Sequence, residues 1–372
     1  MSSFFSAVRF HVISTQGCFS VTNCLTLPLQ LPYVTETFLH RYFLKYFIPM
    51  KRFNFIQGLG LMGATSLISS SMPVSYTQGA QTPPHTQPAK SGSAKRVLRV
   101  ANLTDIHIRP DKIAEYGMAA ALNAVNAMKD KPDFVINGGD SIMNAAVLTK
   151  GNIQNQWDTF NSILKNDNSL PIHHCLGNHD LFGWLLPSAD KTENKKWALD
   201  EYKMQSRYYS FAQNGWKFIV LDSIHARESV PGYFGKLDDE QMDWLKQELK
   251  NTTVETNICI VSHIPILAIC CLFDGGILNS DHRKVSDNNM HADADALVEL
   301  FYRYPNVRAC LSGHIHLIDY VNYLGIEFFC NGAVAGSWWK GDHQHFAPSF
   351  SVLNFFEDGT VTREVEYYKW KG

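Results

Sequence analysis

Gly177-Asn178-His179-Asp180 closes the apolar run Pro171-Ile172-His173-His174-Cys175-Leu176, and its reading decides the fold. An amide, an imidazole and a carboxylate stand side by side where a strand is expected to give way to a loop. Loops held at the ends of strands are where α/β proteins place their chemistry. The same four residues are also good turn material, because Gly and Asn tolerate left-handed backbone and Asp bonds its own main chain. Alone, the stretch does not choose between a turn and a site. The rest of the chain makes the choice.

The 372 residues are 45% hydrophobic and 18% charged, enough apolar material for one large domain or two small ones. A net charge of −2 gives no global field to draw nucleic acid, and no nucleic-acid partner is expected. The eight cysteines form no C-x-x-C pair, which excludes a zinc ribbon and a thioredoxin motif. Cys175, Cys259 and Cys310 lie in apolar runs and read as free core thiols. The adjacent Cys270 and Cys271 carry no pairing signal of their own.

Residues 1–49 show no sustained period and contain one acid, Glu36. Met50-Lys51-Arg52 then opens a modest apolar stretch, Phe53 to Ala64, followed by the small residues Ser69-Ser70-Ser71. That order is the pattern of an export signal, which belongs at an N-terminus. The expectation is therefore a start at Met50, a signal over 50–72, and a mis-annotated extension over 1–49. Arg52-Phe53-Asn54-Phe55-Ile56-Gln57 resembles a twin-arginine signal with one arginine missing. Glycines and polar residues interrupt the run, so no stable membrane span is expected in the mature protein. The location read from this is periplasmic or extracellular. Residues 73–95 hold four prolines among Gln, Thr, Ser and Gly and read as a flexible linker. One domain is expected over 96–372.

From there strands and helices alternate. Strands are expected at 97–103, 133–137, 171–176, 258–261 and 307–311. Helices with apolar residues at helical spacing are expected at 113–128, 152–165, 237–249 and 293–303. Residues 207–211 and 216–221 read as a hairpin, and after about 318 two more hairpins follow, one turning at Gly325 and one at Asp358-Gly359. An α/β fold whose last third closes a mixed sheet is the expectation.

Polar residues stand just past five of these strands: Thr104-Asp105-Ile106-His107, Gly138-Gly139-Asp140, Gly177-Asn178-His179-Asp180, Ser262-His263 and Gly313-His314-Ile315-His316. One histidine after a strand is an ordinary surface residue. Five such ends in succession are not, because strands of one sheet that end on one edge bring their loops to one crevice. D-x-H and H-x-H pairs project two side chains from one face of an extended segment, a spacing that suits metal.

In this order the set resembles the calcineurin-like metallophosphoesterases over about residues 97–345. The resemblance implies a four-layer αββα sandwich with two mixed β-sheets. It implies two divalent metal ions (Mn, Fe or Zn) bridged by Asp140, with Asp105, His107 and His316 completing one site and Asn178, His263 and His314 the other. His179 is implied to be a non-ligand that protonates the leaving alkoxide, with Asp180 steadying it. Purple acid phosphatases place a Tyr ligand three residues after the bridging Asp, where this chain has Met143. Leu221-Asp222-Ser223, Gly235-Lys236-Leu237, Gln241 and Trp244-Leu245 resemble the bacterial cyclic-nucleotide phosphodiesterase branch and its secreted relatives. The implied activity is hydrolysis of small phosphate mono- or diesters by a metal-bridging hydroxide. Two alternatives stand beside it: an exported nuclease with the same chemistry, and a non-catalytic secreted binding protein. Trp338 and Trp339, in a Gly-rich loop after the last His pair, either line the pocket or cap the core.

Overall fold

Strands whose residues are apolar at nearly every position must be covered on both faces, and that requirement builds the domain. The computed structural model describes residues 94–185, 193–227, 230–274, 277–279, 282–368 and 370. The expected extension, signal segment and nearly all of the linker lie outside the described residues.

In chain order the elements are β1 (Arg96–Leu103), α1 (Lys112–Asn126), β2 (Phe134–Asn137), α2 (Lys150–Asp167), β3 (Ile172–His174), α3 (Glu193–Tyr202), β4 (Tyr209–Gln213) and β5 (Trp216–Val220). Then come β6 (Ile224–Ala226), β7 (Tyr233–Gly235), α4 (Asp239–Asn251), β8 (Asn257–Val261), β9 (Ile277–Asn279), β10 (His282–Lys284) and α5 (Ala294–Tyr302). The chain finishes with β11 (Val307–Ser312), β12 (Ile318–Tyr323), β13 (Ile326–Asn331), β14 (Phe350–Phe356) and β15 (Val361–Glu366).

Two mixed sheets result. The first runs β15-β14-β1-β2-β3, with β1, β2 and β3 parallel and the β14-β15 hairpin antiparallel beside them. The second runs β12-β13-β11-β8-β5-β4, parallel at its centre and closed at each edge by an antiparallel hairpin strand. Each hairpin turns where the backbone goes left-handed, at Asn214-Gly215 and at Leu324-Gly325, the geometry that matches strand twist.

Successive strand residues serve different layers. Val100, Phe134, Phe218, Cys259, Leu311 and Phe355 meet between the sheets. Ala101 and Val135 turn outward onto Met118 of α1 and Trp157 and Phe160 of α2. Ile219, Ile260 and Cys310 turn the opposite way, onto Leu245 and Leu249 of α4 and Leu297 and Phe301 of α5. The layers therefore run helix, sheet, sheet, helix, the αββα sandwich expected. Cys175, Cys259 and Cys310 are buried free thiols, and so are Cys270, Cys271 and Cys330. Among the described residues, no helix is long and apolar enough to cross a membrane.

The sequence reading missed α3 and the short ladders β6-β7 and β9-β10. In α3 the apolar residues bunch at Trp197, Ala198 and Leu199, with Tyr202 alone beyond them, which is too few to show a period. The third strand is shorter than expected. It stops at His174, although its ladder to β2 continues through Cys175 N–H to the Asn137 carbonyl at 2.8 Å.

Phe218 packs against Phe134, Phe211 and Phe355, with ring centroids 5.0–5.4 Å apart. Phe218→Ala should cost about 3–5 kcal/mol, read as a lower urea midpoint at unchanged slope. A loss under about 1 kcal/mol, the size of an ordinary surface change, would show that the interface between the sheets is not the main core.

Candidate metal centre

The carboxyl ends of β1, β2 and β3 in one sheet and of β8 and β11 in the other open toward each other. Their loops interlock closely enough to require glycine. A Cβ at Gly177 would lie 2.1 Å from the Asp140 nitrogen and carboxylate, and one at Gly313 would lie 2.0 Å from Thr104 Oγ1 and 2.3 Å from Asp105 Oδ2. Gly313 thus lets the loop after β11 rest on the loop after β1, sheet against sheet.

Five side chains here sit on left-handed backbone without being glycine: Asp105 (φ 56°), His107 (47°), Asp140 (53°), His314 (70°) and His316 (59°). That conformation is costly for L-residues and persists only where the surroundings enforce it. Asp105 N–H donates to the Gly139 carbonyl (3.0 Å), His107 N–H to the Asp140 carbonyl (2.9 Å) and His314 N–H to the Asp105 carboxylate (2.9 Å).

The result is convergence of donor atoms. Asp105, His107 and His316 form one buried group, and Asp140, His263 and His314 form a second, each within metal-chelating reach. Asp140 Oδ2 stands between the groups, 3.7 Å from His107 Nε2 and 3.3 Å from His263 Nε2. Asn178 Oδ1 is 3.2 Å from His263 Nε2. Outer ring nitrogens face main-chain carbonyls: His263 Nδ1 at Gly138 (2.8 Å), His316 Nδ1 at Gly336 (2.6 Å) and His314 Nε2 at Asn288 (2.8 Å). Such contacts fix ring orientation and point the other nitrogen inward.

The donor set fits divalent cations. His107 Nε2 and His316 Nε2 face each other at 3.0 Å, and buried His107 Nδ1 has no hydrogen-bond partner. Two imidazole nitrogens at that distance need a proton or a cation between them. Imidazole with carboxylate and amide oxygen suits Mn, Fe(II) or Zn alike.

The electrostatics agree. Burial opposes ionisation of Asp105, but His316 outweighs it and holds the carboxyl near 2. Asp140 is likewise held well below the carboxylate range against burial, by His263 and His179. Burial disfavours a charged His263, yet Asp140 pushes that imidazole up to about 10. His314 moves the other way, down to about 4, because burial dominates and His263 repels a second charge. Protons on His263 thus stand where a cation would put its charge.

His179 is half-exposed and joins His107 and Asp140 in a third cluster. Its backbone N–H donates to Asp140 Oδ1 at 2.8 Å, and its Nδ1 meets the Met143 carbonyl at 2.5 Å. The support expected from Asp180 therefore comes from a main-chain carbonyl instead. The Asp180 carboxylate is turned into the protein, where it accepts from Gly177 N–H (2.9 Å), Asp140 N–H (3.0 Å), Ser141 N–H (2.8 Å) and the Tyr202 hydroxyl (2.9 Å). Tyr202 was missed because its helix was missed. Trp184, whose indole donates to the Asn178 carbonyl at 2.8 Å, carried no spacing signal either.

Because His263 holds its proton far above neutrality, a bound cation must displace it. Manganese affinity of the chelator-treated protein should rise about tenfold per unit between about pH 6 and 8.5, one proton being released per ion at that site. Calorimetry in buffers of different ionisation heat would show it, and a flat profile would mean that His263 is neutral.

Residues 98–317 match the family described as Calcineurin-like phosphoesterase. A 3′,5′-cyclic-nucleotide phosphodiesterase of Nostoc sp. is 25% identical over 284 residues, covering 73% of this chain and 93% of its own. A probable glycerophosphodiester phosphodiesterase of Arcobacter nitrofigilis is 23% identical over 233 residues, covering 59% of this chain and 72% of its own. A dimetal phosphatase from Danio rerio shares the fold with a TM-score of 0.52 at 14% identity, over 74% of this chain and 100% of that one. With more than half of the chain inside the family match, this protein belongs to the calcineurin-like phosphoesterases.

Proposed function

We propose that the protein hydrolyses phosphodiester bonds of small organic phosphates, with phosphomonoesters as poorer substrates. The placement of Asp140 Oδ2 between two groups of donors, with half-exposed His179 tied to the same carboxylate, carries the reading. The preference for diesters rests on the two bacterial relatives, both named as phosphodiesterases. Asp105, His107, His316 and Asp140 would hold one divalent cation, and Asp140, Asn178, His263 and His314 the other. Bound there, the two cations supply an activated water and positive charge against the non-bridging phosphate oxygens.

The chain supplies the rest. Main-chain carbonyls of Gly138, Gly336 and Asn288 hold the imidazoles in one orientation, so little reorganisation accompanies binding. His179 keeps Nδ1 on the Met143 carbonyl, which leaves Nε2 to carry a proton to the departing ester oxygen. Its backbone N–H bond to the Asp140 carboxylate, together with the Met143 contact, would hold the ring beside the residues that take the cations. We further propose that the enzyme works outside the cytoplasm, on the strength of the signal-like segment after Met50. Scavenging of extracellular phosphate esters suits that location.

Assay of the manganese-loaded protein on bis(4-nitrophenyl) phosphate and 4-nitrophenyl phosphate tests the proposal; turnover of neither sinks it. His179→Gln should keep both metals and lose about 10²–10⁴ in kcat on esters with alkyl leaving groups. On 4-nitrophenyl esters, whose leaving group needs no proton, the loss should be far smaller. An emptied metal site in that variant would make His179 a ligand and end its role as acid. Asn178→Ala should instead lower the affinity for one metal equivalent only, measured by titration.

A further inference from the structure

The loop from Ser337 to Phe346 is a second strained segment. Trp338 (φ 50°), Trp339 (65°), Gln344 (43°) and His345 (76°) are all left-handed without being glycine. Strain of this kind collects at ligand clamps and active sites.

The two tryptophans have different surroundings. Trp339 is 3% exposed, donates its indole N–H to the His107 carbonyl at 3.0 Å, and lies directly over Gly117 of α1. It anchors the loop to the metal centre and to the helix behind it. Trp338 points elsewhere and stays half-exposed. Its ring is 4.5 Å from that of His316 and 5.9 Å from that of His107. His343 stands edge-on to it, 5.5 Å away at 88°, and is itself 5.5 Å from His316. Asp274 braces this wall from outside: it accepts from Gln344 (2.9 Å) and Asn289 (3.2 Å), and His343 Nε2 lies 3.9 Å away.

A large apolar ring is thus held beside a buried polar centre with part of its surface left in water. No core requirement explains that, since Trp339 already fills the core position. Aromatic rings so placed are covered well by another flat ring, and a nucleobase offers one whatever its sequence.

We infer that Trp338, set by Trp339 and His343, is a specificity-determining platform that stacks the base of a nucleoside phosphoester while its phosphate occupies the metal centre. The inference rests on the phosphoesterase reading above and narrows its substrate class. It assigns Trp338 to recognition of the ester arm, with no part in bond cleavage.

The test compares AMP, ribose 5-phosphate and inorganic phosphate binding to the manganese-loaded full chain by calorimetry. AMP and ribose 5-phosphate share sugar and phosphate and differ by the base. Wild type should bind AMP roughly tenfold more tightly than ribose 5-phosphate, the size of one base stacked on one aromatic ring. Trp338→Ala should erase the difference and Trp338→Phe should retain most of it. Trp338→Leu, of similar bulk without a π face, takes the place of the alanine variant should that one fail to fold. A kinetic arm uses thymidine 5′-(4-nitrophenyl) phosphate against methyl 4-nitrophenyl phosphate, which share a leaving group. Here Trp338→Ala should raise KM on the nucleoside ester about tenfold relative to the methyl ester. Equal binding of AMP and ribose 5-phosphate by wild type overturns the inference. So does a Trp338→Ala variant that weakens both alike, which would make the ring a structural prop. Failure of all three anions to bind, inorganic phosphate included, would sink the phosphoesterase reading and this inference with it.

Discussion

The Asp180 carboxylate ties together the two strand ends on which the centre is built. It is buried and accepts main-chain hydrogen bonds from Gly177 after β3 and from Asp140 and Ser141 after β2, with the Tyr202 hydroxyl as a further donor. Burial and the neighbouring Asp140 charge push its carboxyl up to about 6, even against those donors. Such a group is unfavourable as an isolated ion in the interior, and what it contributes is geometry: two loops from different strands are fixed by one planar group. Asp140 and Asn178 sit on those two loops. An aspartate outside both donor groups therefore sets the separation of the loops that carry Asp140 and Asn178.

Around that knot the backbone is held out of its preferred regions. Five donor residues adopt left-handed conformations; the backbone N–H groups of Asp105, His107, Asp140 and His314 each meet a carbonyl or carboxylate of a neighbouring loop, and the His316 ring is held at the Gly336 carbonyl. The loops are rigid because they satisfy one another, while the surrounding αββα sandwich supplies the apolar burial that stabilises the arrangement. Sheet interiors rich in Phe and aliphatic residues set the strand ends in place, and the strand ends set the imidazoles.

Much of this was legible in the sequence, for a physical reason. D-x-H, G-D, G-N-H-D and G-H-x-H each follow an apolar strand, and parallel strands of one sheet deliver their ends to one edge. That ground brought the polar residues of five strand ends forward together. The resemblance to the metallophosphoesterases set Asp105, His107, Asp140, Asn178, His263, His314 and His316 apart as ligands, and the structure brings these seven together. What was not readable is the identity of partners that carry no side-chain signature. The carbonyls of Gly138, Asn288, Gly336 and Met143 orient four histidines, and a carbonyl is present at every residue. Asp180 next to His179 in sequence suggested a carboxylate–imidazole pair, but within the single 3₁₀ turn at Asn178–Asp180 the two side chains take different partners, the Met143 carbonyl for His179 and main-chain N–H groups for Asp180. Trp338 and Trp339 were likewise inseparable in sequence. Both sit on left-handed backbone, and only their contacts separate them: the Trp339 ring is buried over Gly117, while the Trp338 ring lies beside His316.

The seat of Trp339 on α1 has a consequence for how this protein varies. A Cβ at Gly117 would come within 2.0 Å of the indole, so no side chain at 117 can coexist with this ring in this pose. The two positions are 222 residues apart in sequence yet sterically one site. A side chain introduced at 117 must be answered at 339, whereas a smaller residue at 339 leaves a void over Gly117. Descendants of this chain that keep the indole at 339 in this pose should therefore keep glycine at 117. That linkage makes residue 117, on a helix that supplies none of the donor residues named above, a marker for the loop that carries Trp338.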